Sequence, residues 1–446
     1  MSPPSTICCA GCGYTADPDD PYPFRCPRAG TDDTDHVMTR MLRLPGTRFP
    51  RGGEQNPFLR YRALMHSHHV ATAHGISDER YRGLAASLDA AVAAVDGHGF
   101  AVTPFSRSRE LSESLGFSPD GGVWVKDETR SVSGSHKGRH LMGVLIHLAV
   151  MEEAGLLDPA RRRDLAIASC GNAALAAAVV ARAGGWRLTV FVPADADPAV
   201  VRRLGGLGAE VVVCPREPGQ RGDPAYLRLR EKLAGGALPF TTQGNENGLA
   251  IEGGLTLGYE LVTDLAHDRL DHLIIQVGGG ALASSCIQAL REGAGLGVLD
   301  RLPRVHTVQT AGAHPLERAY GRVRALLPPE PGPAAVRLAM AEAAAHRSAF
   351  MQPWEETPHS VATGILDDET YDWRAVVEGM LTTGGRPLVV SEALLREANQ
   401  LAVSATGIRA DPTGSAGLAG LLELRRSGAI GDAGRAAVLL TGIQRD

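Results

Sequence analysis

Ser133-Gly134-Ser135-His136-Lys137-Gly138-Arg139 closes a polar run that starts at Lys126-Asp127-Glu128 and opens onto the apolar stretch 141–151. Small, turn-forming residues ahead of an apolar periodic segment predict a loop running into a helix, with Lys137 at its start. The lysine stem can then point into a pocket, where its amine is able to form a Schiff base. Alone the heptapeptide is a weak signal, because Gly/Ser loops with a basic residue mostly mark ordinary helix starts. Its weight comes from three later stretches: Ser169-Cys170-Gly171-Asn172, Val277-Gly278-Gly279-Gly280 and Leu440-Thr441-Gly442.

Leu165-Ala166-Ile167-Ala168 reads as a short apolar strand that runs straight into the Ser169-Cys170-Gly171-Asn172 turn and a helix N-terminus. Backbone N–H groups point outward unsatisfied there and can hold an anion. Strands at 187–192 and 208–213, with a helix between them, repeat the unit. Leu273-Ile274-Ile275-Gln276-Val277 is a buried-type strand ending in three glycines, which let backbone come within hydrogen-bond distance of a phosphate at the next helix start. GGGALAS lacks both GxGxxG and the Walker lysine, so a bland Gly-rich turn explains it equally well on its own. Further strands are predicted at 122–126, 305–309, 388–390 and 437–440, and loops at 216–222 and 328–333. Strands alternating with helices predict an α/β fold whose parallel sheet is covered on both faces.

The chain has 446 residues, enough for two or three domains with ample apolar burial. A net charge of −5 with both signs interspersed, and a pI near 6.3, point away from nucleic acid as a partner. No apolar run approaches the roughly 18 to 20 residues of a membrane span, and Met1-Ser2-Pro3-Pro4 opens no signal peptide, so the expected location is cytoplasmic. The seven cysteines read as reduced thiols rather than a disulfide framework. Cys9-x2-Cys12 with Cys26 and His36 resembles a small zinc knuckle or ribbon, a structural metal site if one is present; a plain structural turn is the other reading. Residues 56–96 carry a helical pattern with Tyr61, Leu64, Leu84, Leu88 and Val92 at core spacing. His66, His68 and His69 within it are expected to be solvated or capping.

Taken together, in order and spacing, these turns resemble the pyridoxal-phosphate enzymes of fold type II, the tryptophan-synthase β-subunit family, from about residue 103 to the C-terminus. The threonine synthase and serine/threonine dehydratase branch is nearest in motif. The likeness rests on Lys126-Asp127-Glu128 upstream of SGSHK, the S-x-G-N turn, Ile251-Glu252-Gly253-Gly254 followed by Thr256, and Leu440-Thr441-Gly442 with Asp446. The N-terminal cysteines fit that branch too. The resemblance implies two three-layer parallel-sheet domains and an N-terminal extension: a Cys-containing extension over 1–55, a large cofactor-binding domain from 56–140 and 245–446, and a small α/β domain over 141–244. It also implies that Lys137 holds pyridoxal 5′-phosphate as a Schiff base, with His136 near the phosphate. Gly278, Gly279 and Gly280, with the amides of Ala281 and Leu282, would cradle that phosphate. Asn172 would bond the cofactor's 3′-oxygen, Ser169, Cys170 and Gly171 with Asn172 would receive the substrate carboxylate, and Thr441 would meet the pyridine nitrogen. A homodimer is the family's habit.

The departures bear on the substrate. Members that bind a phosphorylated substrate usually carry an arginine just before the I/L-E-G segment and a lysine just before its threonine; here these positions are Ala250 and Leu255. A dianion without such partners loses several charge-assisted hydrogen bonds. His136 replaces the usual aromatic residue before the lysine, and Gly138 the acidic residue often found after it. The expected activity is therefore a lyase that abstracts the α-proton of a small L-amino acid and eliminates a β-substituent, giving a 2-oxo acid and ammonia. The alternative is replacement at the β- or γ-carbon, as in threonine, cysteate or cysteine synthases. A third reading is a non-catalytic cofactor-binding regulator.

Overall fold

The computed structural model describes residues 3–217, 220 and 222–445. Pro218, Gly219 and Arg221 of the predicted surface loop, and Asp446 of the C-terminal motif, lie outside the described residues. The chain begins with an antiparallel ribbon, β1 (Ser5–Cys9) and β2 (Met38–Leu42). β3 (Phe105–Ser108) and β4 (Gly122–Asp127) start the larger sheet. Four strands then form a separate sheet: β5 (Leu165–Ala168), β6 (Leu188–Pro193), β7 (Glu210–Cys214) and β8 (Leu238–Pro239), in the order β7-β6-β5-β8. The chain returns to the larger sheet with β9 (His272–Gln276), β10 (Arg304–Thr310), β11 (Pro387–Val390) and β12 (Arg435–Leu440), completing the order β11-β10-β9-β12-β4-β3. Every pairing in the smaller sheet is parallel, and in the larger sheet all but the edge pair β3–β4.

The two-sided coverage expected of parallel sheets is met. β9 is buried at all of its residues, as a central strand with helices on both faces must be. The helices Ala250–Leu265, Ala281–Gly295 and Trp373–Thr383 build the apolar core on one face of the larger sheet. The helices Glu392–Thr406 and Ala416–Arg426 build the core on the other. Lys137–Glu153 and Asn172–Ala183 pack on the smaller sheet, with Pro224–Ala234 opposite. Ile7, Cys9, Phe24 and Met38 of the N-terminal extension belong to the same core as the first two of these helices. The guanidinium of Arg40, on β2, lies between Glu252 (3.4 Å) and Glu292 (2.9 Å), all three nearly shut off from solvent. No helix among the described residues is long and apolar enough to cross a membrane.

Residues 56–96 do not form one helix. Pro57–Arg60, His66–Ala73 and Asp78–Asp96 are separate; Gly75 takes a left-handed φ of 75° and Ser77 caps the last helix through the Arg80 amide. The histidines differ from expectation as well. His66 and His69 are buried, and both rings reach Ser5 Oγ through Nδ1 (2.9 and 2.7 Å), so they pin β1 to the body instead of facing water. His68 is the exception, half-buried and paired with Asp78 at 3.0 Å.

Candidate active site

The loop before Lys137 is held in an unusual backbone shape. Ser133 (φ 57°) is the one non-glycine residue with positive φ among the described residues, and Gly134 follows at 68°. Two left-handed residues in succession are unfavourable for L-amino acids, so surrounding contacts must impose them. The Ser133 amide donates to Asp96, the Ile443 amide to the Gly134 carbonyl (2.8 Å), and the His136 amide to the Thr441 carbonyl (3.3 Å). A side chain on Gly134 would strike Ile443 Cγ2. The lysine loop is thus stapled to the end of β12, which brings the SGSHK and LTG motifs together.

Lys137 is the first residue of its helix, and its Nζ lies 3.3 Å from Thr242 Oγ1. Burial lowers its pKa, against the opposing pull of Asp367 and Asp372, which favours the free amine over the ammonium. His136 Nδ1 donates to the Thr441 carbonyl (3.3 Å), which leaves Nε2 as a bare acceptor; that atom is buried without a partner. Burial, with Lys137 next to it, holds this ring neutral.

Below the lysine, the Lys126-Asp127-Glu128 motif has a structural role. Lys126 Nζ meets Glu260 at 2.6 Å, and Arg139 bridges Glu260 (2.6 Å) and Glu128 (2.8 Å); all four side chains are at most 1 % exposed. Arg139 stands two residues past Lys137, so this network anchors the helix turn that presents the amine.

The other motifs converge on the same cleft, at the C-terminal ends of the parallel strands, where open α/β sheets bind ligands. Thr441 follows β12 directly, and its Oγ1 accepts from Gln276 Nε2 of β9 at 2.6 Å. With its lone pair so used, the hydroxyl hydrogen is free to donate. Asn172 opens the helix after β5; Arg445 donates to its Oδ1, so its Nδ2 faces Asp411 (3.4 Å) and the Gly442 backbone. The Ser169–Gly171 turn is loosely held, with the Gly171 amide 3.4 Å from Ser169 Oγ, an exposed Cys170, and open space beside Gly171. Gly278, Gly279 and Gly280 follow β9 and lead into Ala281 and Leu282 at the start of a 15-residue helix. The segment 365–372 packs directly on them, with Tyr371 Cδ2 at 2.8 Å and Asp372 Cβ at 3.0 Å from where side chains on Gly279 and Gly280 would begin. The Gly279 amide is turned toward the Asp367 carboxylate.

Thr242, Gln276, Asp367, Asp372, Asp411 and Arg445 escaped the sequence reading. The run Asp367-Asp368-Glu369-Thr370-Tyr371-Asp372 is visible as a charge cluster, but such clusters usually mark a solvated surface. Here burial raises Asp367 to about 6 and Asp372 to about 8.

These residues fit pyridoxal phosphate. A half-buried lysine amine opens the helix, and the unpartnered Ser133 Oγ, Ser135 Oγ and His136 Nε2 lie along the loop just before it. The glycine turn already has an anionic group, the Asp367 carboxylate, against it.

Away from this cleft, Cys9, Cys12, Cys26 and His36 bring their ligand atoms within 4.8 Å of one another. Cys9 Sγ lies 3.5 Å from His36 Nδ1, and His36 Nε2 is bonded to Asp32 at 3.0 Å. Burial pushes the Cys26 thiol up to about 12; for Cys12 burial is outweighed by hydrogen bonds, led by the Tyr14 backbone, which bring it down to about 7. Three thiols and an imidazole oriented by a carboxylate are a suitable donor set for a tetrahedral soft cation.

Comparison with known proteins agrees with this geometry. The chain is 22% identical to a threonine synthase of Methanocaldococcus jannaschii, over 76% of its own length and 74% of that relative's. It is 30% identical to an L-threonine ammonia-lyase of Thermotoga maritima over 42% of each chain. Its fold is similar to that of maize serine racemase, with a TM-score of 0.58 at 17% identity over 81% of this chain and 93% of that one. The family described as pyridoxal-phosphate dependent enzyme matches residues 97–442, the whole of both parallel sheets and every motif of the cleft, and the chain belongs to it.

Proposed function

We propose that the protein is a lyase that removes a β-substituent from a small L-amino acid and releases a 2-oxo acid and ammonia. The observation that supports the reading is a half-buried lysine amine in a cleft bordered by the Ser169–Gly171 and Gly278–Gly280 turns, with apolar residues where the phosphorylated-substrate ligands would stand. Ala250 and Leu255, where phosphate ligands would stand, are both fully buried in apolar packing.

Bound pyridoxal phosphate supplies the conjugated, electron-withdrawing ring over which charge at the α-carbon is spread. The chain supplies the rest. The Ser169–Gly171 turn, at the N-terminus of Asn172–Ala183, receives the substrate carboxylate at the positive end of the helix dipole. Lys137, its pKa lowered by burial, takes the α-proton. Asn172 would offer Nδ2 to the cofactor's 3′-oxygen, because Arg445 occupies Oδ1. Thr441 would offer a neutral hydroxyl to the ring nitrogen without charging it, a setting that favours expulsion of a leaving group over transamination. Gly278, Gly279 and Gly280, with Ala281 and Leu282, are the residues that would hold the phosphate.

Replacement by a second nucleophile is the rival, favoured by the broader match to threonine synthase than to the ammonia-lyase. Protein reconstituted with pyridoxal phosphate, given serine, threonine, O-phosphoserine, O-phosphohomoserine and 2,3-diaminopropionate, separates the two. Elimination yields 2-oxo acid and ammonia without any added nucleophile; absence of oxo acid from every substrate refutes it.

The Cys9, Cys12, Cys26 and His36 cluster is proposed to hold a structural zinc ion. Metal analysis of the purified protein should find one zinc per chain, lost in Cys12→Ser; a metal-free, fully folded wild type refutes the assignment.

A further inference from the structure

Residues 370–374 grip the carbonyl side of the glycine turn. Thr370 Oγ1 donates to the Gly278 carbonyl and the Asp372 amide to the Gly279 carbonyl, both at 3.0 Å. Across a trans peptide the carbonyl and the next N–H point in opposite directions. The N–H groups of Gly279 and Gly280 are therefore aimed away from these two donors, as a cofactor phosphate would require.

The same segment is anchored to the N-terminal extension. The fully buried Trp373 indole N–H donates to Asp35 Oδ1 (3.1 Å), and Arg374 Nη2 donates to the Ala10 carbonyl (2.5 Å). Arg347 links Asp35 (3.3 Å) to Glu369, just ahead of Thr370. Asp35 adjoins His36 and Ala10 adjoins Cys9, and their loops touch: a side chain on Gly11 would overlap the Asp35 carbonyl oxygen. Both anchor points are thus immediate neighbours of a residue in the Cys9, Cys12, Cys26 and His36 cluster.

A second arm leads to the lysine. Beside Cys26, Arg25 faces Glu246 (3.6 Å), and the Phe24 carbonyl accepts from the Gly248 amide (2.9 Å). The segment 242–248 carries Thr242, 3.3 Å from Lys137 Nζ, and meets the 370–374 segment where Gly244 lies against the Asp372 carboxyl. One cluster backs two walls of the cleft. Cys12, Cys26 and His36 lie outside helix and strand, so an ion that ties them to Cys9 turns its binding energy into order in these loops.

We propose that this cluster, with zinc bound, is the positioning element of the phosphate cradle: it fixes Asp35 and Ala10, these fix Trp373 and Arg374, and the 370–374 segment orients the amides of Gly279 and Gly280. The inference rests on the zinc and cofactor readings above and adds a coupling between the two sites. Such coupling is reciprocal, each ligand changing the other's affinity by the same factor.

The test uses the full chain, kept reduced, with zinc present or stripped by a chelator. It is titrated with pyridoxal 5′-phosphate and with pyridoxal, which lacks the phosphate; fluorescence reads the affinities and far-UV circular dichroism the fold. Zinc removal should raise the dissociation constant of pyridoxal phosphate by about tenfold, the equivalent of one hydrogen bond. Zinc return should restore it, pyridoxal should bind alike in both forms, and saturation with pyridoxal phosphate should tighten zinc binding by the same factor. Trp373→Phe and Arg374→Met should keep one zinc per chain, bind pyridoxal phosphate more weakly with pyridoxal unchanged, and respond little to zinc removal. If the stripped chain unfolds, the variants alone answer: wild-type affinity for pyridoxal phosphate in both overturns the proposal. Equal affinity with and without zinc in folded protein, or an equal loss for pyridoxal, overturns the coupling alone. A chain that binds no zinc overturns the metal reading and this one together, and a chain that binds zinc but neither aldehyde overturns the cofactor reading and this one.

Discussion

Replacing Arg139 by methionine removes two buried ion pairs at once and keeps most of the side-chain volume. Glu260 retains Lys126 at 2.6 Å, but Glu128 is left with the Thr103 hydroxyl as its remaining partner among these groups. One carboxylate is then buried without a counter-charge, a change that costs about 3–5 kcal/mol, which is a large share of the roughly 5–15 kcal/mol that stabilises a typical domain. The pH dependence carries the diagnostic sign. In the wild type burial pushes Glu260 up, but Arg139 and Lys126 together outweigh it and hold the carboxyl below its ordinary value. A depressed folded-state pKa contributes stability that is present above the unfolded value of about 4.3 and is lost as pH falls through the folded one. The deficit of Arg139→Met should therefore be full at neutral pH and shrink as pH falls into the carboxylate range. Urea denaturation followed by far-UV circular dichroism at several pH values reads both quantities. A deficit under about 1 kcal/mol, the range of exposed pairs, or one that does not vary with pH, refutes the assignment of these four residues as a closed charge network.

Other perturbations address the cleft and the extension. Gly134→Ala should destabilise the protein by about 1–2 kcal/mol from the left-handed φ alone, with more from the contact with Ile443, and should weaken cofactor binding measured by fluorescence titration. Arg445→Met frees the Asn172 amide to turn over; the cofactor's dissociation constant should rise by about tenfold, worth one hydrogen bond, whereas an unchanged constant refutes a positioning role. Burial lowers His66 to about 3 and His69 to about 4. Both bind protons more readily unfolded, near pH 6.5, so stability is full above that pH and falls as pH drops from it toward 4. Hydrogen exchange in β1 should accelerate over that window, and Ser5→Ala should exaggerate the effect.

The parallel strands were legible because two-sided burial writes a continuous apolar run, as in Leu273-Ile274-Ile275. The turns that follow them were legible because close backbone approach demands glycine. β3 was not: Phe105-Ser106-Arg107-Ser108 is an edge strand, half in water, with no apolar run to betray it. The break at Gly75 and Ser77 was hidden because apolar spacing continues in helical phase on both sides of it. In the cleft, Lys137, His136, Asn172 and Thr441 could be found from local motifs. Gln276, Asp367, Asp372, Asp411 and Arg445 meet them only through tertiary contacts 100 or more residues apart in most cases, and a lone Asp or Gln carries no local mark of such a meeting.

Arg40 bears on the order in which the chain can assemble. Its counter-charges, Glu252 and Glu292, are made more than 200 residues later. As the polypeptide emerges, the first ribbon has to wait, its guanidinium still hydrated, until the helices Ala250–Leu265 and Ala281–Gly295 exist to receive it. A segment made early is thus among the last to settle. A shortened protein that starts beyond β2 would close around two carboxylates that have lost their guanidinium and keep only neutral donors such as the His66 amide and the Tyr259 hydroxyl.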